Sequence, residues 1–160
     1  MQLFIGGACA GKGDIVTARF PDARWLKAGQ VGEGGALAGW YERLASAPVV
    51  VITGWADWLA RALADEGDDD RLRQRLVDTL QAMIEAEGHT GGQVVLILPE
   101  VGRGIVPLAP EDRRLRDLAG WFSQDAASRA DVVWYVRHGL ARCLKRRLPG
   151  ERVDSPTPGC

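Results

Sequence analysis

The residues best suited to chemistry lie near the start of the chain, in FIGGACAGKGD, Phe4 to Asp14. Gly6, Gly11 and Lys12 keep the GxxxxGK spacing of a phosphate-binding loop. Glycines there let successive backbone N–H groups converge on an anion, a following helix adds its N-terminal dipole, and the lysine reaches the outer phosphates. Gly6, Gly7, Gly11, Lys12 and Gly13 are therefore the expected phosphate-contacting set. Gly13 stands where such loops carry Ser or Thr, whose hydroxyl binds the magnesium that bridges the outer phosphates. A triphosphate can still be held, but the metal loses a ligand. Asp14 is the neighbouring oxygen donor; it repels phosphate unless a metal lies between, and the simpler reading points it at solvent from the start of a helix.

Loops of this kind work with a second carboxylate at the end of a central strand. The matching stretch, VVVITGWADWLARAL, ends its apolar run at Thr53 and Gly54, and the first acid is Asp57. Asp57 falls at a helix start, where capping competes with metal binding as its role. The chain has two histidines, His89 in a GHTGG stretch read as a loop and His138 at the end of a strand, too few for a His-rich metal site. Cys9, Cys143 and Cys160 fit neither a disulfide framework nor paired zinc ligands; no metal site is expected, and Cys9 is read as a small buried filler or a loop thiol of lowered pKa. Trp40, Trp55 and Trp58 suit packing, with stacking on a base or another flat ring as the alternative. DEGDDD reads as a solvated loop with helix-capping aspartates, and RCLKRR as the solvated end of a strand.

These residues need a scaffold. With 46% hydrophobic and 26% charged residues, the 160-residue chain has the composition of a globular domain able to bury a core. Twenty basic against 21 acidic side chains leave no global field for nucleic acid or an anionic membrane. No apolar run approaches the roughly 18 residues of a membrane span, and the N-terminus lacks signal-peptide features, so a cytoplasmic location is expected. Short apolar runs alternate with helical periodicity, the pattern of an α/β domain with a mainly parallel sheet. Strands are predicted at 2–5, 24–26, 49–53, 94–98 and 132–136, with 49–53 and 94–98 central because their apolar runs do not alternate. Leu72, Leu76, Leu80, Met83 and Ile84 share one face of a crossover helix, and Leu115, Leu118, Ala119, Phe122 and Ala126 define a second. A shorter helix is suggested by Leu37, Trp40, Tyr41 and Leu44. One domain over 1–148 and a flexible tail over 149–160 complete the expected organisation.

EVGRGIVP, Glu100 to Pro107, followed by RRLRDLAGWFSQDAASRADVVWYVRHGL, resembles the bifunctional adenosylcobinamide kinase and adenosylcobinamide-phosphate guanylyltransferase family of cobalamin biosynthesis. Arg113, Arg116, Asp117, Gly120 and Gln124 fall on the family's RxxRDxxGxxNQ-like helix, and Gly139 on the glycine that closes its final strand. The resemblance implies a three-layer, RecA-like P-loop NTPase fold, commonly trimeric. It also implies phosphorylation of the cobinamide hydroxyl, then guanylyl transfer from GTP through a histidine-bound intermediate. Arg103, Arg113 and Arg116 become nucleotide-binding candidates beside the loop. Lys12, Asp57 and Glu100 become the catalytic candidates, with Asp57 or Glu100 as the carboxylate for magnesium.

The chain departs from that pattern where the chemistry is done. Gly13 replaces the loop hydroxyl, Thr53 stands in place of the strand-end acid, Arg61 replaces an asparagine, and AGQVGEGGALAGWYERLASAP lacks the guanylyl-accepting histidine. Two functions are open: a kinase of corrinoid assembly that binds ATP or GTP and has lost the guanylyltransferase half, or a non-catalytic homologue that binds nucleotide or corrinoid or acts through other chains. Expected partners are a nucleotide, a corrinoid intermediate and further copies of the chain.

Overall fold

The computed structural model describes residues 1–28, 37, 39–101 and 109–147. Arg103, the rest of the GIVP segment, most of AGQVGEGG and the 149–160 tail lie outside the described residues. Among the described residues six strands form one sheet in the order β2-β3-β4-β1-β5-β6: β1 (Gln2–Gly6), β2 (Arg24–Lys27), β3 (Val49–Thr53), β4 (Gln93–Pro99), β5 (Val132–Arg137) and β6 (Leu140–Arg146). The first five run parallel and β6 pairs antiparallel with β5. This is the expected three-layer P-loop architecture, with the apolar β3 and β4 in the sheet interior. Val50, Val51 and Ile52, and Val94 to Leu98, are buried because helices and chain cover both faces.

The helices divide unequally between the faces. On one, α2 (Trp40–Ser46), α3 (Trp55–Asp65), α4 (Asp69–Thr90) and α5 (Pro110–Arg129) bring Leu44, Leu59, Leu76 and Phe122 onto Leu3, Ile52, Leu96 and Val133. On the other, α1 (Lys12–Arg19) brings Val16 onto Phe4, Val51, Ile97 and Val136. The helical faces read from sequence are the buried ones: Leu72, Leu76, Leu80 and Met83 on α4, and Leu118, Ala119, Phe122 and Ala126 on α5. Asp68 caps α4, its carboxylate accepting from the amides of Asp70 and Arg71. Trp55 is a core residue, its ring 4.7 Å from that of Phe122 and its Nε1 donating to the Ile52 carbonyl. At the edge where the parallel strands begin, the Met1 amino group pairs with Glu87 at 2.6 Å and Asp131 at 2.8 Å.

Arg114 joins three helices. Its guanidinium donates to the Asp69 carboxylate at the start of α4, to the Leu63 carbonyl at 3.2 Å and to the Glu66 carbonyl at 2.8 Å. The last carbonyls of a helix have no intrahelical donor, so Arg114 satisfies groups that α3 cannot. Arg114→Ala is expected to cost about 2 kcal/mol and to lower the melting temperature by about 4–8 °C, which a thermal melt followed by circular dichroism measures.

The last strand is a correction. The chain does not end its sheet at Gly139: His138 and Gly139, with φ of 53° and 73°, form a two-residue turn, and 140–146 return as β6. RCLKRR lies mostly within this strand rather than at the end of another. β6 is an edge strand exposed along nearly its whole length, so no buried face gave it a hydrophobic period. A left-handed pair of residues matches the twist of a two-residue hairpin.

Candidate functional site

A parallel sheet holds ligands where neighbouring strands send their following helices to opposite faces, because the two loops diverge and leave a crevice at the strands' carboxyl ends. Here those neighbours are β1 and β4. The chain leaves β1 through the Gly7–Gly11 loop into α1 on one face, whereas α5, the helix after β4, packs on the other. Gly6 and Glu100 sit on the two lips of this crevice, joined by a hydrogen bond from the Glu100 amide to the Gly6 carbonyl at 2.9 Å.

The loop has the geometry its glycines permit. Gly11 caps α1 at φ 88°, and an added Cβ would lie 3.1 Å from the Gly139 Cα, so the hairpin turn packs directly on it. The Gly139 amide also donates to the Ala10 carbonyl at 3.0 Å. The helix's first internal bond runs from the Ile15 amide to the Gly11 carbonyl. The amides of Lys12, Gly13 and Asp14 therefore face off the helix N-terminus, the arrangement that receives an anion. Lys12 folds back on the loop: its Nζ donates to the carbonyls of Gly6 at 2.7 Å and Gly7 at 2.6 Å. Burial pushes the Lys12 ammonium pKa below the usual lysine range, against the pull of Cys9 and Glu100 in the other direction. Glu100 is also held from β5, where the Tyr135 hydroxyl donates to its carboxylate at 3.0 Å.

The structure thus brings together Gly6, Gly7, Gly11, Lys12, Gly13 and Glu100. Gly13 is exposed with no atom within 4 Å of an added Cβ, so a serine side chain would fit and the missing hydroxyl has no steric cause. Asp14 is exposed in the first turn of α1. Asp57 does not cap: Gly54 fills that place in left-handed backbone, and Asp57 lies exposed in the first turn of α3. A glycine cap meets the turn with backbone alone, which leaves the carboxylate unused. Thr53 ends β3 with its carbonyl accepting from the Ala28 amide at 2.6 Å. Arg113 and Arg116 are on α5, Arg113 exposed and Arg116 3.4 Å from Asp117; neither hydrogen-bonds to the loop among the described residues.

Three further expectations change. Cys9 is exposed at φ 55°, not a buried filler, because the loop turns its side chain outward in left-handed backbone. His89 belongs to the last turn of α4, not to a loop; α4 continues to Thr90 and stops at Gly91, whose φ of 71° supplies the helix C-cap. His89 therefore lies at the edge where β4 begins, opposite the crevice. His138 is exposed in the hairpin turn, beside Gly139 and the loop, rather than at the end of the last strand. Sequence reading missed Tyr135, which looks like any aromatic in a strand; only the register of β5 against β1 reveals its reach.

Magnesium needs few protein ligands, keeping several waters and taking one or two carboxylates together with substrate phosphates. Among the described residues no group of three or more His, Cys, Asp or Glu could hold a metal alone. Glu100 at the crevice fits the minimal requirement, as a partner to phosphate oxygens.

The fold and the glycine loop define a P-loop α/β domain. A family model described as "Cobinamide kinase / cobinamide phosphate guanyltransferase" matches residues 30–144, from beyond the loop into β6. The chain belongs to that family. Similar curated proteins are the bifunctional adenosylcobalamin biosynthesis protein CobP of Pseudomonas aeruginosa, 39% identical over 45% of this chain and 42% of its own length, and CobU of Salmonella typhimurium, 35% identical over 59% and 55%. CobU of Escherichia coli is 37% identical over 51% of this chain and 45% of its own. The chain spans about half the length of the curated relatives it matches.

Proposed function

We propose that this chain binds a purine nucleoside triphosphate at the β1–β4 crevice and acts as an adenosylcobinamide kinase of cobalamin biosynthesis, with the nucleotide's magnesium held by Glu100. The meeting of Lys12 and Glu100 at one carbonyl, that of Gly6, carries this reading. It supplies a cation for the outer phosphates and a carboxylate for the metal at one crevice. Phosphoryl transfer asks little more of a protein than positioning and charge neutralisation. Lys12 would leave its loop carbonyls for the phosphates, Arg113 and Arg116 would assist from α5, and Arg103 is the third arginine of the set. Guanylyl transfer is not part of this reading, because 28–48 holds no histidine and His89 is at the far edge. A cytoplasmic, trimeric protein accords with it; among the described residues no helix is long and apolar enough to cross a membrane.

Gly13 and Thr53 support a second reading, in which the same crevice binds nucleotide or corrinoid without turnover. Calorimetric titration with GTP and with ATP, each with and without magnesium, separates the two. For a kinase, magnesium should tighten binding by about tenfold and Glu100→Gln should lose that gain. Binding indifferent to magnesium turns the chain into a non-catalytic homologue, and no binding of either nucleotide removes the kinase and leaves only the corrinoid form of the second reading.

A further inference from the structure

We propose that Tyr135 is a positioning residue that fixes the Glu100 carboxylate at the crevice, an inference that rests on the reading of Glu100 given above. Tyr135 lies on β5, directly beside Ile5 of β1, while Glu100 follows the end of β4 on the other side of β1. The phenol therefore reaches across the loop-bearing strand to its 3.0 Å contact with Glu100 Oε2. Three parallel strands meet in this contact, and the middle one ends in the glycine loop. The Glu100 main chain is pinned by its amide to the Gly6 carbonyl. Its side chain still has three rotatable bonds, and the Tyr135 hydroxyl restricts them.

The choice of donor matters chemically. A phenol carries no positive charge and gives one hydrogen bond, so it orients a carboxylate without cancelling its charge. A lysine or arginine in the same place would compete with a cation for that charge. Tyr135 is half-buried in a strand and has only two side-chain torsions, so it holds its position at little entropic cost. Outer groups that orient a metal-binding carboxylate act through the ligand's geometry, and losing one typically weakens metal affinity about 10- to 100-fold.

Tyr135→Phe removes one oxygen and keeps the packed ring, and GTP titration with and without magnesium reads its effect. Most of the gain in GTP affinity on adding magnesium should be lost, with magnesium-free affinity and melting temperature unchanged. In a Glu100→Gln background, Tyr135→Phe should cause no further loss, since both changes act on one carboxylate. An undiminished magnesium gain in Tyr135→Phe, alongside its loss in Glu100→Gln, overturns the positioning role and leaves the reading of Glu100 standing. A full gain in Glu100→Gln overturns both. Equal weakening with and without magnesium, or additive losses in the double variant, assigns Tyr135 to the loop's structure and also overturns the proposal.

Discussion

Lys12→Met is expected to weaken GTP or ATP binding by about 100-fold while leaving the melting temperature no lower than that of the unaltered chain. The binding loss follows from two charge-assisted hydrogen bonds to phosphate oxygens, each contributing about 1.5–3 kcal/mol, less what Lys12 gives up in leaving the Gly6 and Gly7 carbonyls. The stability side follows from the resting geometry. Lys12 is partly buried and its pKa is depressed chiefly by that burial, so the folded state disfavours the protonated form. The sign is opposite to that of a lysine gaining a carboxylate. The cost is in force while the ammonium is protonated in both states, and it disappears as pH rises through the folded-state pKa toward the unfolded one. Methionine keeps an unbranched side chain of similar length and drops the charge. Its loss of two hydrogen bonds to the Gly6 and Gly7 carbonyls is offset by removal of the desolvated ammonium. A fall of several degrees in melting temperature would show that these bonds, rather than a ligand, are what Lys12 serves.

Gly6→Ala should disrupt the fold itself. An added Cβ there would overlap the Val136 carbonyl oxygen, which is backbone on the adjoining strand and cannot rotate away. Gly6 pairs on its two sides with Pro99 of β4 and Val136 of β5, so relief requires prising β1 from β5 at the carboxyl edge. Overpacking of this kind costs about 3 kcal/mol at the upper end of its usual range, or about 6–12 °C in a domain this size. Gly7→Ala is the control, since no atom lies within 4 Å of its added Cβ. Nearly equal melting temperatures for the two variants would contradict the packing of Gly6 in the sheet.

Much of this was legible in the sequence, for reasons that differ along the chain. β3 and β4 announced themselves because strands buried on both faces are apolar without alternation through their buried middles. α4 and α5 did so because one buried stripe repeats at helical spacing, from Leu72 to Ala86 and from Leu118 to Ala126. The glycine loop was legible because backbone geometry, which side chains do not encode, still demands glycine at Gly6 and Gly11. β6 was hidden by its exposure, and His89 by a GG pair that ends a helix where a loop was expected. The Tyr135–Glu100 contact joins residues 35 apart in sequence across an intervening strand, and no local spacing could announce it. At Gly13, open space around an added Cβ shows that packing does not force glycine there.

The docking of the hairpin on the loop also bears on the order of folding. The loop belongs to the first residues of the chain, but its shape leans on Val136 beside Gly6 and on Gly139 beside Gly11, more than 125 positions later. Contacts so distant in sequence carry a large loop-closure cost and form late. During synthesis, β1 must wait for β4 and β5 before it has neighbours on both sides. An incomplete chain thus carries the glycine loop without its final shape, which appears only as the sheet closes.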